Sequence, residues 1–270
     1  MKERWMALIF TLLCAPSLLA QVALPSCPAP ACSPRPADAT RGLEIKYVRD
    51  SAEYATLCRQ VYRMATEAVR KSHPTSGTWG VILDVDETTL DNSQYQLERG
   101  IYGLSYDDAS WANWVNRAEA GTVPGVKEFL DSVRALRGRI VFITDRYTEY
   151  VAVDGGKLDL LKATRENLER NHLLQSGDLL CLKTNANDGK PARRKSAKEG
   201  SGVCSWNGMP VQFIAFVGDQ MTDFPQPGES FTGAGTDKEF GTAFFLLPQP
   251  MYGRWTNGVT RESGAFKQVP

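Results

Sequence analysis

Val81 to Asp91, VILDVDETTLD, is the stretch that most restricts what this chain can become. It opens with Val81-Ile82-Leu83, bounded by Gly80 before and polar residues after. A short apolar run without helical spacing suits a strand buried on both faces of a parallel sheet. Asp84 and Asp86 follow, two residues apart, with Thr88 two further on. On an extended chain that spacing keeps both acids on one side, at the carboxyl end of the strand, where open α/β sheets place their ligands. Adjacent carboxylates at the margin of a core need positive charge between them. A divalent cation and a phosphate are the natural occupants. Alone, a DxD is as readily an Asp-rich turn or helix cap, so the case rests on what lies downstream.

A second apolar run, Arg139 to Ile143, ends in Thr144-Asp145-Arg146. A hydroxyl at a strand end can donate to a phosphate oxygen beside the backbone N–H groups that follow. Thr144 is placed for that, and Arg146 adds charge. A third strand is expected at Leu179–Leu182, followed by the basic stretch from Lys190 to Lys198. Such a run is ordinarily a solvated helix face. A metal–phosphate site, however, needs a fixed cation; Lys190 is the first candidate and Lys195 the second. The fourth strand, Val211–Val217, ends in Gly218-Asp219-Gln220-Met221-Thr222-Asp223. Gly218 lets the backbone approach closely, Asp219 brings another carboxylate to the same edge, and Asp223 lies one helical turn on. DxD and GDxxxD strand ends together suit Mg²⁺, which takes few carboxylates and keeps waters.

Helices are expected between these strands. Ser51 can cap one running to Lys71, with Tyr54, Leu57, Val61, Met64, Ala65 and Val69 near 3.6 spacing. An insert over about 92–123 carries Tyr95, Tyr102, Tyr106, Trp111 and Trp114. Within it Asp108–Ala118 reads as a helix with both Trp residues on one face. Trp114 is assigned to the core. Trp111 fits either the core or a stacking platform for an aromatic ring. Pro124 is expected in the first turn of a helix over Val126–Leu136, and another helix is expected over Leu158–Arg170.

The 270 residues allow one sizeable α/β core with a small accessory region, and the formal net charge of zero argues against nucleic-acid binding. Only His73 and His172 are present, too few for a His-built binuclear metal site, and no Cys/His spacing resembles a zinc site. Lys2 and Arg4 precede an apolar run from Met6 to Leu13, which reads as a secretory signal over residues 1–20. Cleavage after Ala20 gives a soluble exported protein. Alternatively, Leu24-Pro25-Ser26-Cys27 is a lipobox, and lipid on Cys27 anchors the chain to a membrane. Removing Cys27 to lipid leaves Cys32, Cys58, Cys181 and Cys204, enough for pairs Cys181–Cys204 and Cys32–Cys58. The segment 27–45 is expected to be a Pro-rich tether.

These pieces, in this order, resemble the haloacid dehalogenase (HAD) superfamily of aspartate-nucleophile phosphotransferases. The similarity is closer to its class C acid phosphatases, bacterial outer-membrane lipoproteins with 5′-nucleotidase activity. It rests on Ser51–Tyr54 (SAEY), Asp84–Ser93 (DVDETTLDNS), Ser110–Val115 (SWANWV), Val141–Arg146 (VFITDR), Phe216–Phe224 (FVGDQMTDF) and Leu246–Trp255 (LLPQPMYGRW). The resemblance implies a Rossmann-like three-layer α/β sandwich over residues 46–260, with a central parallel sheet and the insert as a small helical cap. It implies Asp84 as nucleophile and metal ligand, and Asp86 as general acid–base whose backbone carbonyl also meets the metal. Thr144 and Lys190 would hold phosphate, Asp219 would bind Mg²⁺, and Asp223 would stand behind it. Trp111 and Tyr252 match an aromatic pair that sandwiches a nucleoside base. Two departures stand out: Asp145 where the family commonly has Asn, and the segment from Lys198 to Val211. The expected substrate is a phosphomonoester, with a nucleoside 5′-monophosphate foremost. A sugar phosphatase, a phosphomutase or a non-catalytic ligand-binding lipoprotein of the same fold are the alternatives, and an oligomer is compatible with all of them. The expected location is the periplasm or outer membrane of a bacterium, or the exterior.

Overall fold

The structure is a computed structural model that describes residues 42–257. The expected signal segment, Cys27 and Cys32 lie outside the described residues. The first element is helix α1 (Leu43–Asp50), in place of the end of the expected tether. Ile45 and Val48, three residues apart, are buried and draw the segment onto the body. Ser51 then caps α2 (Ala52–Ser72), its hydroxyl accepting from the Tyr54 N–H at 3.0 Å. Tyr54, Cys58, Tyr62, Ala65 and Val69 form the buried stripe of that helix.

The remaining elements follow in order: β1 (Trp79–Leu83), β2 (Leu90–Asp91), α3 (Ser93–Ile101), α4 (Asp108–Arg117), β3 (Gly121–Thr122) and α5 (Val126–Ala135). Then come β4 (Arg139–Tyr147), β5 (Glu149–Val151), β6 (Lys157–Asp159), α6 (Leu160–Arg170), β7 (Leu179–Lys183), α7 (Lys190–Glu199), β8 (Gln212–Gly218) and β9 (Phe244–Leu246). Strands β7-β4-β1-β8-β9 form one five-stranded sheet with every pairing parallel. Strand β1 is central and buried along its whole length, as its unbroken apolar run requires.

Successive side chains of these strands enter two different cores. Val81, Leu83, Ile140, Phe142, Ala215, Val217 and Phe245 pack with α2, α5 and α6. Ile82, Val141, Ile143, Phe216 and Phe244 face the other way, against Ala197 of α7, Phe224 and Phe240. The result is a three-layer sandwich. Between β1 and β4 the insert holds α3 and α4, and the two-residue ribbon of β2 with β3 closes its base. A second excursion, the antiparallel β5–β6 hairpin, was not foreseen from the sequence.

Several boundaries differ from expectation. Pro124 sits in the turn before α5 rather than in its first turn, because Gly125, at φ 95°, is the cap. Leu158 belongs to β6, and α6 begins after Asp159, whose side chain accepts from the Lys162 N–H. Cys181 and Cys204 form a disulfide with Cα atoms 5.6 Å apart. Cys58 is a free thiol, fully buried on the core stripe of α2, so it is not paired with Cys32.

Candidate active site

The carboxyl ends of β1, β4 and β8 converge, and α7 delivers its first residue to the same point. Asp84 follows β1 directly, its N–H donating to Val217 O on β8 at 3.0 Å. Thr88 and Thr89 fold the next turn back. Thr89 Oγ1 donates to Asp84 O at 2.6 Å, and Thr88 Oγ1 donates to Asp219 Oδ1 at 3.1 Å. From behind, Tyr62 of α2 donates to Thr88 O at 2.6 Å and ties this turn to the helical layer.

Lys190 Nζ donates to Asp84 Oδ1 and, at 2.6 Å, to Asp223 Oδ1. All three side chains are buried. Of the two lysines weighed from sequence, Lys190 is the one in the site; Lys195 is largely exposed and faces Glu199. Asp84, Asp219 and Asp223 bring one oxygen each within 4.8 Å of one another. When ionised, these three carboxylates exceed the single ammonium by two charges. Burial pushes the Asp84 carboxyl up to about 8, against the pull of Lys190. Burial also raises Asp219, helped by the charges of Asp223 and Asp84. Burial alone would lower the Lys190 pKa, but Asp223 and Asp84 outweigh it and hold the ammonium charged.

Asp219 Oδ2 is buried and has no hydrogen-bond partner. A buried acceptor in that state, among excess negative charge, fits a divalent cation. Asp84 and Asp219 are the side chains able to hold it. Asp223 stands close, but its oxygens already accept from Lys190 and from the Asp219 and Gln220 N–H groups at 3.1 and 2.8 Å. The Asp86 carboxylate is not part of this cluster. It accepts from Arg146 Nη2 at 2.7 Å, Arg146 Nε at 2.9 Å, Asn92 Nδ2 at 2.9 Å and Thr144 Oγ1 at 3.3 Å.

Arg146 and Thr144, expected to face phosphate, thus both turn to Asp86. The Arg146 side chain is 1% exposed and also donates to Thr164 and Asn92. Thr144 is fully buried; its hydroxyl also accepts the Arg146 N–H at 3.2 Å. Asp145, the departure noted above, is half-exposed and paired with Arg193 at 2.7 Å. That arginine also donates to Thr144 O. The extra acid is therefore offset locally.

A cleft of about 460 Å³ opens over these groups, lined by Asp84, Asp86, Lys190 and the aromatic rings of Tyr106, Trp111 and Tyr252. Trp111 is half-buried and shows its ring to the cleft, with the Arg146 guanidinium 5.6 Å from its centroid. Trp114 is buried, and its indole N–H donates to Asn92 Oδ1 at 2.8 Å.

Four contributors were not foreseen. Asn92 links Asp86, Arg146, Trp114 and Glu87. Buried Glu87, at φ 54°, accepts from the Tyr252 hydroxyl. Arg193 and Arg194 are buried on α7, and Arg194 holds Glu229 and the backbone carbonyls of Thr222 and Asp223. The signal available for Asn92 and Glu87 was their place inside the acidic motif. For the arginines it was a spacing that puts Lys190, Arg193, Arg194 and Ala197 on one face.

The family model described as HAD superfamily, subfamily IIIB (acid phosphatase), matches residues 34–255. The chain belongs to this family. Its fold is similar to that of the class C acid phosphatase from Bacillus anthracis, with TM-score 0.64 and 26% identity over 79% of this chain and 85% of that one. The same enzyme with tungstate bound gives TM-score 0.62 at 25% identity, again over 79% and 85%. A curated relative, the stem 31 kDa glycoprotein of Glycine max, is 27% identical over 175 residues, 63% of this chain and 58% of its own length.

Proposed function

We propose that this protein is a Mg²⁺-dependent phosphomonoester hydrolase that works through an aspartyl-phosphate on Asp84 and acts on nucleoside 5′-monophosphates. The observation that carries the reading is Lys190 bridging Asp84 and Asp223 beside the unpartnered Asp219 Oδ2. Such a cluster is built to gather a cation and a phosphate around one carboxylate. When bound, Mg²⁺ supplies positive charge that offsets repulsion between that carboxylate and the phosphate. Binding of tungstate, a tetrahedral oxyanion, by the Bacillus anthracis enzyme supports a phosphate seat in the equivalent fold.

Asp84 attacks phosphorus, and the bond from phosphorus to the ester oxygen breaks. Asp86, in its acid form, gives its proton to the departing alkoxide. Arg146 and Asn92 fix the direction in which that carboxyl points. As carboxylate, Asp86 then takes a proton from water, whose oxygen attacks the acyl phosphate. Phosphate leaves, and Asp84 is restored.

Trp111 and Tyr252 line the cleft from the insert and from the segment after β9, where a flat base can stack. The disulfide at Cys181 and the secretory pattern of residues 1–20 support an exported protein; lipid on Cys27 belongs to the same reading. The test is release of phosphate from AMP, a hexose phosphate and p-nitrophenyl phosphate, with and without EDTA. Mg²⁺-dependent turnover favouring AMP is expected; EDTA-resistant turnover sinks the reading. Base stacking is worth about 1–3 kcal/mol. Trp111→Ala should therefore raise KM for AMP roughly tenfold while leaving KM for the aryl ester almost unchanged. Equal changes would mean that the base is not stacked.

A further inference from the structure

The amino end of the same sheet carries the opposite charge. There the turn from α5 into β4 and the loop from α6 into β7 enclose a cleft of about 370 Å³ lined by Arg134, Arg137, Arg139, Gln175, Ser176 and Asp178. Strand β4 separates Arg139 from Asp145 by about 20 Å of extended chain, so this cleft lies well away from the catalytic cluster.

Its charges do not balance. Asp178 is satisfied by Arg134 Nη2 at 2.6 Å and by the Gln175 N–H at 2.9 Å. Asp131 lies 3.7 Å from Arg134 Nη1 but is held at 2.6 Å by Lys127. Arg137 and Arg139 have no acidic partner among the described residues. Arg137 stands at φ 62° in the turn that ends α5, a conformation unusual for a side chain of its size. The Arg139 guanidinium lies 6.0 Å from the Trp206 ring centroid, and the Trp206 indole N–H is fixed on Gly177 O at 2.8 Å. Arg134 is already engaged, its Nη2 donating to Leu173 O at 2.6 Å as well as to Asp178. Arg137 and Arg139 thus bring two unbalanced guanidinium groups to one cleft, an arrangement short of an anion.

We propose that this cleft is an oxyanion site that takes a phosphate-type anion. Planar guanidinium forks match tetrahedral phosphate oxygens, and Ser176 adds a hydroxyl at the rim. The anion is either free orthophosphate or the phosphate of a lipid headgroup, both of which present the same oxygens.

The test uses the full chain with Mg²⁺ bound, titrated calorimetrically with orthophosphate. Two phosphates per chain are expected for the parent protein, one of them in the catalytic cleft. Arg137→Ala/Arg139→Ala should weaken the second at least tenfold and leave p-nitrophenyl phosphate turnover unchanged. Ser176→Glu, which adds an acid to the rim without removing an arginine, should do the same and guards against a folding defect. Sedimentation with phosphatidylglycerol vesicles, against phosphatidylcholine, separates the sources. Binding to the anionic vesicles that the variants lose assigns the site to a headgroup; second-site phosphate uptake without vesicle binding assigns it to the free anion. Phosphate uptake and vesicle binding identical in the parent and both variants overturn the proposal.

Discussion

Asp84 and Asp86 are two residues apart, yet they belong to two differently built halves of the cleft. The Asp84 half is made by strand ends and α7: Lys190, Asp219 and Asp223 surround a carboxylate in the buried core of the site. The Asp86 half is made by the insert and the end of β4, where Arg146 and Asn92 grip a carboxylate whose side chain is 19% exposed. The first half gathers charge; the second sets a direction. Both acids lie past the end of β1, and the turn held by Thr88 and Thr89, not strand alternation, gives them different surroundings. In the proposed mechanism that lets a single DxD carry both nucleophile and proton donor.

Removing one acid from each half should have different consequences. Asp84→Asn keeps the shape but removes the attacking oxygen, and kcat should fall more than about 10³-fold on every ester. Asp86→Asn removes only proton transfer, worth roughly 10²–10⁴-fold. On kcat/KM, which reports the first step, that loss should be felt in full for AMP, whose alkoxide needs a proton, and be slight for p-nitrophenyl phosphate, whose phenolate leaves unaided. The kcat should fall for both, because Asp86 also activates the water that frees Asp84. A leaving-group plot for Asp86→Asn as flat as that of the parent enzyme would remove the division of labour.

The charge of the Asp84 half predicts a pH dependence. Burial raises the Asp84 carboxyl to about 8 in the metal-free protein, well above its unfolded value. Across that interval the folded chain holds a proton that the unfolded chain has lost, so metal-free stability falls as pH rises towards 8. A cation needs the ionised form, and its binding displaces that proton. Mg²⁺ affinity should therefore rise about tenfold per pH unit below 8 for each proton displaced. The melting-point difference between loaded and metal-free protein should widen from pH 5 to pH 8. Calorimetry in buffers of different ionisation enthalpy counts the protons directly, and a count of zero contradicts the charge argument.

The two halves were unequally legible. Runs such as Val81–Leu83 and Arg139–Ile143 announced buried strands, and each strand end carried a polar residue of distinct chemistry, so the Asp84 half could be read from sequence. The Asp86 half could not. Arg146 is two residues past Thr144, where charge near phosphate is the simplest expectation, and only the fold turns its guanidinium towards Asp86. Strand β9 escaped because Phe244–Leu246 is three residues long and is defined by pairing with β8 rather than by its own pattern. The burial of Arg193 and Arg194 opposed the ordinary meaning of a basic run. Their guanidinium groups replace water with backbone carbonyls and acids that are distant in sequence.

Tyr62 offers the finest separation of the halves. Its hydroxyl donates to Thr88 O at 2.6 Å, and the Thr88 side chain in turn donates to Asp219 Oδ1 at 3.1 Å. Among the described residues no such hydrogen-bonded path runs from Tyr62 to Asp86 or Arg146. Tyr62→Phe leaves the ring packed 5.6 Å from Phe129 and deprives one buried carbonyl of its donor, a loss of about 1–3 kcal/mol. The expected outcome is a melting point several degrees lower and Mg²⁺ affinity reduced a few-fold, because Asp219 is less firmly aimed. Leaving-group sensitivity, which reports Asp86, should stay as in the parent. A variant with unchanged Mg²⁺ affinity but altered leaving-group sensitivity would show that α2 supports the proton donor instead, and the division between the halves would have to be redrawn.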